Sequence, residues 1–235
     1  MTKTLFPALE VYRDTVPHSA ALNMSIDEAL LEHARVPSIR FYRWHSPALS
    51  FGYFGRFSDV ARCTSGRDVV RRWTGGGIVW HGEDLTYGLV IPAADCAFNE
   101  SSVVIYERVH RALCEALNAT GECAVLAAAV DPGSGNTGTP AAVTSSGYSC
   151  FANPVPADVM VCGRKVAGAA QRRTRRGLLQ QGSIQGADLD SKLAKRFAEA
   201  LSANRTDCET EEQILIRARE LAQQKYGSDS WLRRR

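Results

Sequence analysis

Apolar residues recur along the chain with the period of a helix in some segments and the period of a strand in others. In Ser19–Arg35 the apolar positions follow helical spacing, and Pro37 comes directly afterwards, which predicts an amphipathic helix that ends before the proline. From Ser101, apolar residues three or four positions apart predict a second helix, with Gly121 where its C-terminal cap belongs. Both helices are therefore expected to have one apolar face and one solvated face.

Strand-like segments are short and rich in β-branched and aromatic residues. They are Ile39–Trp44, Asp68–Trp73, Leu85–Ile91, Cys123–Val130, Ala157–Cys162 and Leu178–Ile184. Near the end, Leu193 to Leu201 and Ile214 to Ala222 again show helical spacing. This order is not a repeating strand–helix–strand unit, so it predicts an α+β fold with a mixed or antiparallel central sheet flanked by helices. A single domain over residues 1–235 is expected, because no repeat or linker divides the chain.

Composition adds bounds on location and partners. The chain is 45% hydrophobic, enough for a full core, and it has no run of about twenty apolar residues. Its seven cysteines form no C-x-x-C pair, as is typical of reduced thiols in a cytoplasmic protein. The net charge of +3 is too small to indicate nucleic acid, although arginines cluster at Arg172–Arg176 and Arg233–Arg235. These clusters are either solvated surface or a contact for an acidic protein.

A triple glycine follows a predicted strand that ends in two arginines. Glycines let the backbone approach a ligand closely, and their N–H groups can face a phosphate, carboxylate or thioester oxygen. The segment lacks the Gly-Lys-Ser/Thr of a Walker A loop and the helix of a dinucleotide fingerprint, and a tight hairpin turn is the structural alternative. The candidate binding residues here are Arg71, Arg72, Gly75, Gly76, Gly77 and His81.

Cys150 is the candidate nucleophile. It ends a segment, Asp131–Ser149, that contains four glycines and two prolines, and a cation brought near it by folding would favour the reactive thiolate. Lys165 is the candidate cation, because Gly163 and Gly168 flank it and small residues leave room beside a narrow ligand tunnel. The alternatives are a buried structural cysteine and an exposed hairpin lysine.

Taken together and in order, six segments resemble the superfamily of lipoate-protein ligases, biotin ligases and octanoyltransferases. The resemblance is nearest to the cysteine-dependent octanoyltransferases, where Cys-Phe precedes Gly-Arg-Lys and a Leu-Gln-x-Gly-Ser-Ile strand follows. Two positions depart from that branch: Gln181 stands where histidine is usual, and Gly77 where arginine is frequent. The matching segments are Asn23–Ala29, Leu49–Phe54, Val69–Gly77, Cys150–Phe151, Gly163–Lys165 and Leu179–Ile184.

The resemblance implies transfer of an octanoyl group from acyl carrier protein to a lysine of a lipoyl domain or glycine-cleavage H protein. Cys150 would carry the group as a thioester and Lys165 would activate it. Further substrate-binding residues would be Gly168, Ala169, Gln180 and Gly182.

No metal or nucleotide is expected, because a thioester is already activated. A monomer that binds neither nucleic acid nor membrane is also expected. The first alternative is an ATP-dependent lipoate-protein ligase that uses ATP and Mg. A noncatalytic nucleic-acid-binding module is the more distant alternative.

Overall fold

The computed structural model describes residues 4–128, 153–187, 189 and 192–234, so Cys150 and the segment Asp131–Ser149 lie outside the described residues. The helices are α1 (Ala20–His33), α2 (Ser102–Asn118), α3 (Leu193–Leu201), α4 (Glu212–Leu221) with a π-helical turn at Ala222–Tyr226, and α5 (Asp229–Leu232). The strands are β1 (Leu9–Arg13), β2 (Ser38–Tyr42), β3 (Ala48–Phe51), β4 (Asp68–Arg71), β5 (Ile78–His81), β6 (Leu85–Pro92), β7 (Ala124–Leu126), β8 (Val159–Val161), β9 (Arg164–Arg173), β10 (Gly177–Ile184) and β11 (Arg205–Cys208).

Two sheets organise the described residues. The larger one has eight strands in the order β11-β1-β2-β6-β10-β9-β8-β7, and the smaller one has three in the order β4-β3-β5. In the larger sheet β1 pairs in parallel with β2 and β11, whereas the strands from β2 to β7 pair antiparallel. The predicted α+β class with a mixed sheet and flanking helices is therefore confirmed.

Helices cover both faces of the larger sheet. On one face Tyr87 packs edge-on against Phe197 of α3, with ring centroids 5.2 Å apart, and α2 completes this layer. On the other face Val90 and Leu179 pack with Met24 of α1 and with α4. The side chains of Ser19 and Ser101 cap the N-termini of α1 and α2, and the cap at Ser101 is the one that the sequence predicts. Within the described ranges, no helix is both long enough and apolar enough to cross a bilayer.

One connection differs from its prediction. The glycine-rich and arginine-rich stretch between β8 and β10 is the ten-residue strand β9, which pairs with both neighbours. Cys162 and Gly163 have φ of 48° and 75° and form the tight turn that starts it. Its small residues show no alternation in hydropathy, so the pairing that makes it a strand comes from the neighbouring strands.

Candidate active site

A cavity lies between the two sheets. Its floor is a row of residues paired across four adjacent strands of the larger sheet, Gly168, Ser183, Thr86 and Tyr42, so their side-chain positions share one face. Three strand spacings separate the ends of this row, which makes the floor about 14 Å long. The other lining residues include Met24 of α1, Trp44, and Ser50, Arg72, Gly76, Val79 and His81 from the smaller sheet and its glycine loop.

Lys165 lies at the β9 end of the floor and is held there by Asp158. The Nζ atom is 2.7 Å from Asp158 Oδ2, and both side chains are almost fully buried. The hydroxyl of Tyr106 and the backbone N–H of Val155 also donate to Asp158, at 2.6 and 2.7 Å. A Cβ atom on Gly168 would lie 2.6 Å from Lys165 Cε and 2.7 Å from Nζ, so the lysine crosses the floor only because a glycine is there.

Asp84 gathers the polar groups at the middle of the floor. Its Oδ2 atom accepts hydrogen bonds from His81 Nδ1 (2.8 Å), Thr86 (2.8 Å) and Ser183 (2.7 Å), and Oδ1 accepts from the backbone N–H of Gly82. Burial alone would raise the pKa of Asp84, but the hydrogen bonds from His81 and Ser183 bring it below its usual value. The carboxylate is therefore charged, and the two floor hydroxyls point towards it.

A chain of hydrogen bonds continues from His81 to the glycine loop. Burial lowers the pKa of His81, although Asp84 opposes this, so the imidazole is neutral and its Nε2 accepts from the Ser50 hydroxyl at 2.6 Å. Ser50 in turn accepts from Arg72 at 2.6 Å, and Arg72 donates to the carbonyls of Gly75 (3.1 Å) and Gly77 (2.9 Å). Arg72 therefore fixes the loop from inside.

The structure brings most of the predicted site residues to this cavity. Seven line it: Arg72, Gly76, His81, Lys165, Gly168, Ala169 and Gly182. Gln180 lies on the opposite face of the sheet, where it donates to the Tyr87 hydroxyl at 3.0 Å and accepts from Gln171 at 2.7 Å. Gly75 and Gly77 belong to the loop but contribute carbonyls to Arg72 rather than lining the cavity. The position of Cys150 lies outside the described residues.

Arg71 does not face the cavity, in contrast to the sequence-based prediction. Its guanidinium is 1% exposed and donates to backbone carbonyls only. Two acceptors follow β3, at distances of 2.6 to 2.8 Å, and three belong to the C-terminal segment around α5, at 2.7 to 3.3 Å. The indole N–H of Trp231 donates back to the carbonyl of Arg71 at 2.9 Å. Arg71 thus joins the C-terminal helix to the loop after β3.

Sequence reasoning assigned no role to Asp158, Asp84 or Ser50, although Ser50 lies in the Leu49–Phe54 segment that carries the family resemblance. It noticed Gln181 only as a departure from the family pattern. Gln181 accepts from Thr74 of the glycine loop at 2.8 Å and donates to buried Asp27 of α1 at 2.7 Å. In the described ranges, no cluster of three or more His, Cys, Asp or Glu side chains has the arrangement needed to hold a metal ion.

The arrangement of strands and helices is that of the lipoate-protein ligases. A crystal structure of lipoate-protein ligase A bound with ATP superposes with a TM-score of 0.73 at 19% identity, covering 97% of this chain and 98% of that chain. A putative lipoate protein ligase from T. acidophilum with bound lipoic acid gives 0.72 at 20% identity, covering 96% and 98%. At these identities the likeness concerns the fold.

Sequence comparison gives the family. Residues 19–223 match the lipoyl protein ligase A/B catalytic domain, and the chain belongs to this family. The octanoyltransferase LipM of Kyrpidia tusciae is 35% identical over 174 residues, which cover 71% of this chain and 62% of that protein. The octanoyltransferase LipM of Oceanobacillus iheyensis is 34% identical over 183 residues, covering 74% and 62%. The chain thus matches less than two thirds of the length of these relatives.

Proposed function

We propose that this protein is an octanoyltransferase that moves an octanoyl group from acyl carrier protein to a lysine of a lipoyl-accepting protein. Cys150 carries the group as a thioester between the two steps. The observation that carries the proposal is a buried lysine, Lys165, held by Asp158 at one end of a narrow cavity. Relatives of the same family that are 34 and 35% identical are named octanoyltransferases.

The lining of the cavity suits an alkyl chain, and its enclosed space of about 50 Å³ has to widen to admit eight carbons. The floor is about 14 Å long, which exceeds the length of an extended eight-carbon chain. Gly168 leaves space above the sheet, and the hydroxyls of Thr86 and Ser183 are engaged by Asp84, so the floor presents mainly carbon to a ligand. The carbonyl of the acyl group is then placed beside Lys165.

The chemistry is a double displacement. The Cys150 thiolate attacks the thioester carbonyl, the carbonyl oxygen becomes negative, and the bond from carbon to the carrier sulfur breaks to release the carrier as a thiolate, which takes a proton from solvent. In the second step the amine of the acceptor lysine attacks the acyl-cysteine, loses a proton to solvent and displaces the Cys150 thiolate. The Lys165 ammonium stabilises the oxyanion in both steps, and the Asp158 ion pair fixes its direction.

The acyl donor is already a thioester, so the proposed reaction uses neither nucleotide nor metal. The acceptor is a lipoyl domain or the glycine-cleavage H protein. A structural relative with a TM-score of 0.66 at 19% identity, a bi-partite lipoate protein ligase from Thermoplasma acidophilum, was studied together with its E2 lipoyl domain.

Intact-mass measurement tests the proposal. Purified protein is incubated with octanoyl acyl carrier protein without ATP, and the expected result is one octanoyl adduct that disappears when an acceptor domain is added. Cys150→Ala should form no adduct, whereas Cys123→Ala, which removes an exposed cysteine, should form it normally.

Two results would contradict the transferase. One is an unchanged adduct in Cys150→Ala. The other is modification of the acceptor by free octanoate or lipoate that requires ATP and proceeds normally in Cys150→Ala, which would establish a ligase instead.

A further inference from the structure

An exposed aromatic residue and three arginines lie on or beside the segment that packs against the glycine loop of the cavity. Phe54 is 82% exposed and stands edge-on against Tyr53, with ring centroids 5.0 Å apart. Arg56 and Arg234 are exposed and Arg172 is half-buried. We refer to Phe54, Arg56, Arg172 and Arg234 as the arginine rim. Aromatic residues and arginines are enriched in protein contact surfaces, which is the composition of this rim.

The rim is placed beside the cavity by backbone contacts. A Cβ atom on Gly52 would lie 2.0 Å from the Gly76 carbonyl oxygen, so the chain just before Tyr53 packs directly on the glycine loop. The backbone N–H of Tyr53 donates to the carbonyl of Thr74 at 2.9 Å. Since Gly76 lines the cavity, the loop that carries Phe54 packs against the wall of the cavity.

Arg172 reaches the same place from the larger sheet. It lies on β9 two residues beyond Ala170, which lines the cavity, and so shares the cavity-facing side of the strand. Its guanidinium lies over the rings of Tyr53 (4.9 Å) and Trp73 (5.1 Å), and Arg234 lies over Tyr53 at 4.7 Å. Stacking on an aromatic ring holds a guanidinium in place without neutralising its charge.

Other arginines of the same cluster are engaged elsewhere. Arg173 donates to the carbonyls of Phe98 and Glu100 at 2.6 and 2.7 Å, and Arg176 pairs with Glu32 at 3.2 Å. The cluster that the sequence shows as one run is therefore divided by the fold. Arg172 is the member that the described contacts place beside the cavity.

On the basis of the proposed octanoyl transfer, we propose that the arginine rim is the docking surface for an acidic protein that delivers the acyl group. Three cations attract such a surface and raise the rate of encounter, while Phe54 supplies an apolar anchor that becomes desolvated on contact. A donor that carries its thioester on a long flexible arm has to dock beside the opening rather than over it. The rim lies next to the glycine loop, whose Gly76 lines the cavity.

The test compares two donors of the same octanoyl group, acyl carrier protein and the small neutral thioester octanoyl-pantetheine. The measured quantity is the second-order rate of adduct formation on Cys150, at salt concentrations from about 50 to about 300 mM. Arg234→Glu should slow the reaction with the carrier protein by about tenfold and weaken its salt dependence. Phe54→Ser should slow it by a similar factor and leave the salt dependence unchanged.

With octanoyl-pantetheine both variants should react within about twofold of the wild-type rate, since the small donor does not touch the rim. Lys195→Glu reverses an exposed charge on α3, against the opposite face of the sheet, and is the matched control. Equal slowing with both donors, or slowing by Lys195→Glu as large as by Arg234→Glu, would overturn the docking surface. Normal adduct formation with slow transfer to the acceptor would also overturn it, since the rim would then bind the acceptor.

The docking surface is also tested independently of the reaction. The affinity for unloaded acyl carrier protein, measured by fluorescence anisotropy, should fall about tenfold in Arg234→Glu and stay unchanged in Lys195→Glu. Equal affinities of the wild type and Arg234→Glu would refute the arginine rim as a docking surface even if octanoyl transfer is observed. Failure of wild-type protein to acquire octanoyl from either donor would refute the proposed function instead.

Discussion

The position of a single ammonium group depends on the absence of one methyl group. In Gly168→Ala the new Cβ would occupy the place of Lys165 Cε and Nζ, and it would lie 3.1 Å from Asp158 Oδ1. The flexible lysine has to move by about 1 Å, a displacement that costs about 100-fold in rate when it affects a positioned catalytic group. We expect the rate of adduct formation on Cys150 to fall by about that factor, as measured by intact mass in a single turnover.

The same substitution should leave the fold intact, because the atoms displaced are the end of a flexible side chain. The free energy of unfolding should stay within about 1 kcal/mol of wild type. Gly82→Ala is the control, since Gly82 is exposed and a Cβ there would meet no atom within 4 Å. Wild-type rates in Gly168→Ala would show that Lys165 does not act from its observed position.

Single residues also show where sequence reasoning succeeds. Lys165 stood out because glycines surround it, and its close approach to Gly168 is the physical reason for that pattern. Asp158 did not stand out, because its role depends on a partner seven positions away across a turn. Arg71 and Arg72 are adjacent and read alike, yet successive strand residues point to opposite sides, so only Arg72 faces the cavity.

At the scale of elements, the pairing of β10 with β6 requires a glycine in β10. Gly182 is paired with Tyr87, and a Cβ on Gly182 would lie 2.3 Å from two atoms of the Tyr87 ring. That ring is buried against Phe197 and cannot withdraw freely. Gly182→Ala should therefore lower the free energy of unfolding by about 2 kcal/mol, measured by urea denaturation.

A double variant checks that this loss comes from the ring. The double variant Gly182→Ala, Tyr87→Leu should lose less free energy of unfolding than the two single variants lose together, because the ring atoms that collide with the new Cβ are gone. Additive losses would mean that Gly182→Ala destabilises the protein for a reason other than contact with the Tyr87 ring.

The elements differ in how far the sequence could predict them. α1 and α2 were predicted within a few residues, because the spacing of apolar residues is a local feature. The solvated face expected of α1 was wrong, since Ser25, Asp27 and Glu28 are buried together with its apolar residues. β9 was not, since its residues become a strand only through pairing with β8 and β10. The strands β3 and β5 of the smaller sheet are four residues each, too short for a periodicity, and they supply much of the cavity wall.

The whole molecule should lose stability in mild acid through a histidine outside the cavity. His110 of α2 faces the Ala157 carbonyl at 2.7 Å through Nδ1 and the Tyr87 hydroxyl at 3.2 Å through Nε2. Burial lowers its pKa to about 4, so the folded protein keeps it neutral. In the unfolded chain the group titrates at about 6.5. Between these values only the unfolded state binds the proton, so the free energy of unfolding falls as the pH falls.

From about pH 7 to about pH 5 this histidine should account for a loss of about 2 kcal/mol. The difference in free energy of unfolding between the two pH values, measured with a denaturant, should shrink by that amount in His110→Gln. His45→Gln removes an exposed imidazole and should keep the wild-type difference. His81 has a pKa lowered in the same direction, so part of the acid sensitivity will remain in every variant. An undiminished difference in His110→Gln would contradict the assignment.

The carboxylate of Asp84 determines how strongly the cavity floor binds water. The floor has a polar sequence, with a serine and a threonine at its centre, yet both hydroxyl hydrogens are donated to Asp84. A water molecule resting on this stretch finds few donors, and loosely held water is displaced by an alkyl chain with a gain in affinity. Two hydroxyl side chains thus form a surface from which water is readily displaced, and this property depends on the buried negative charge of Asp84.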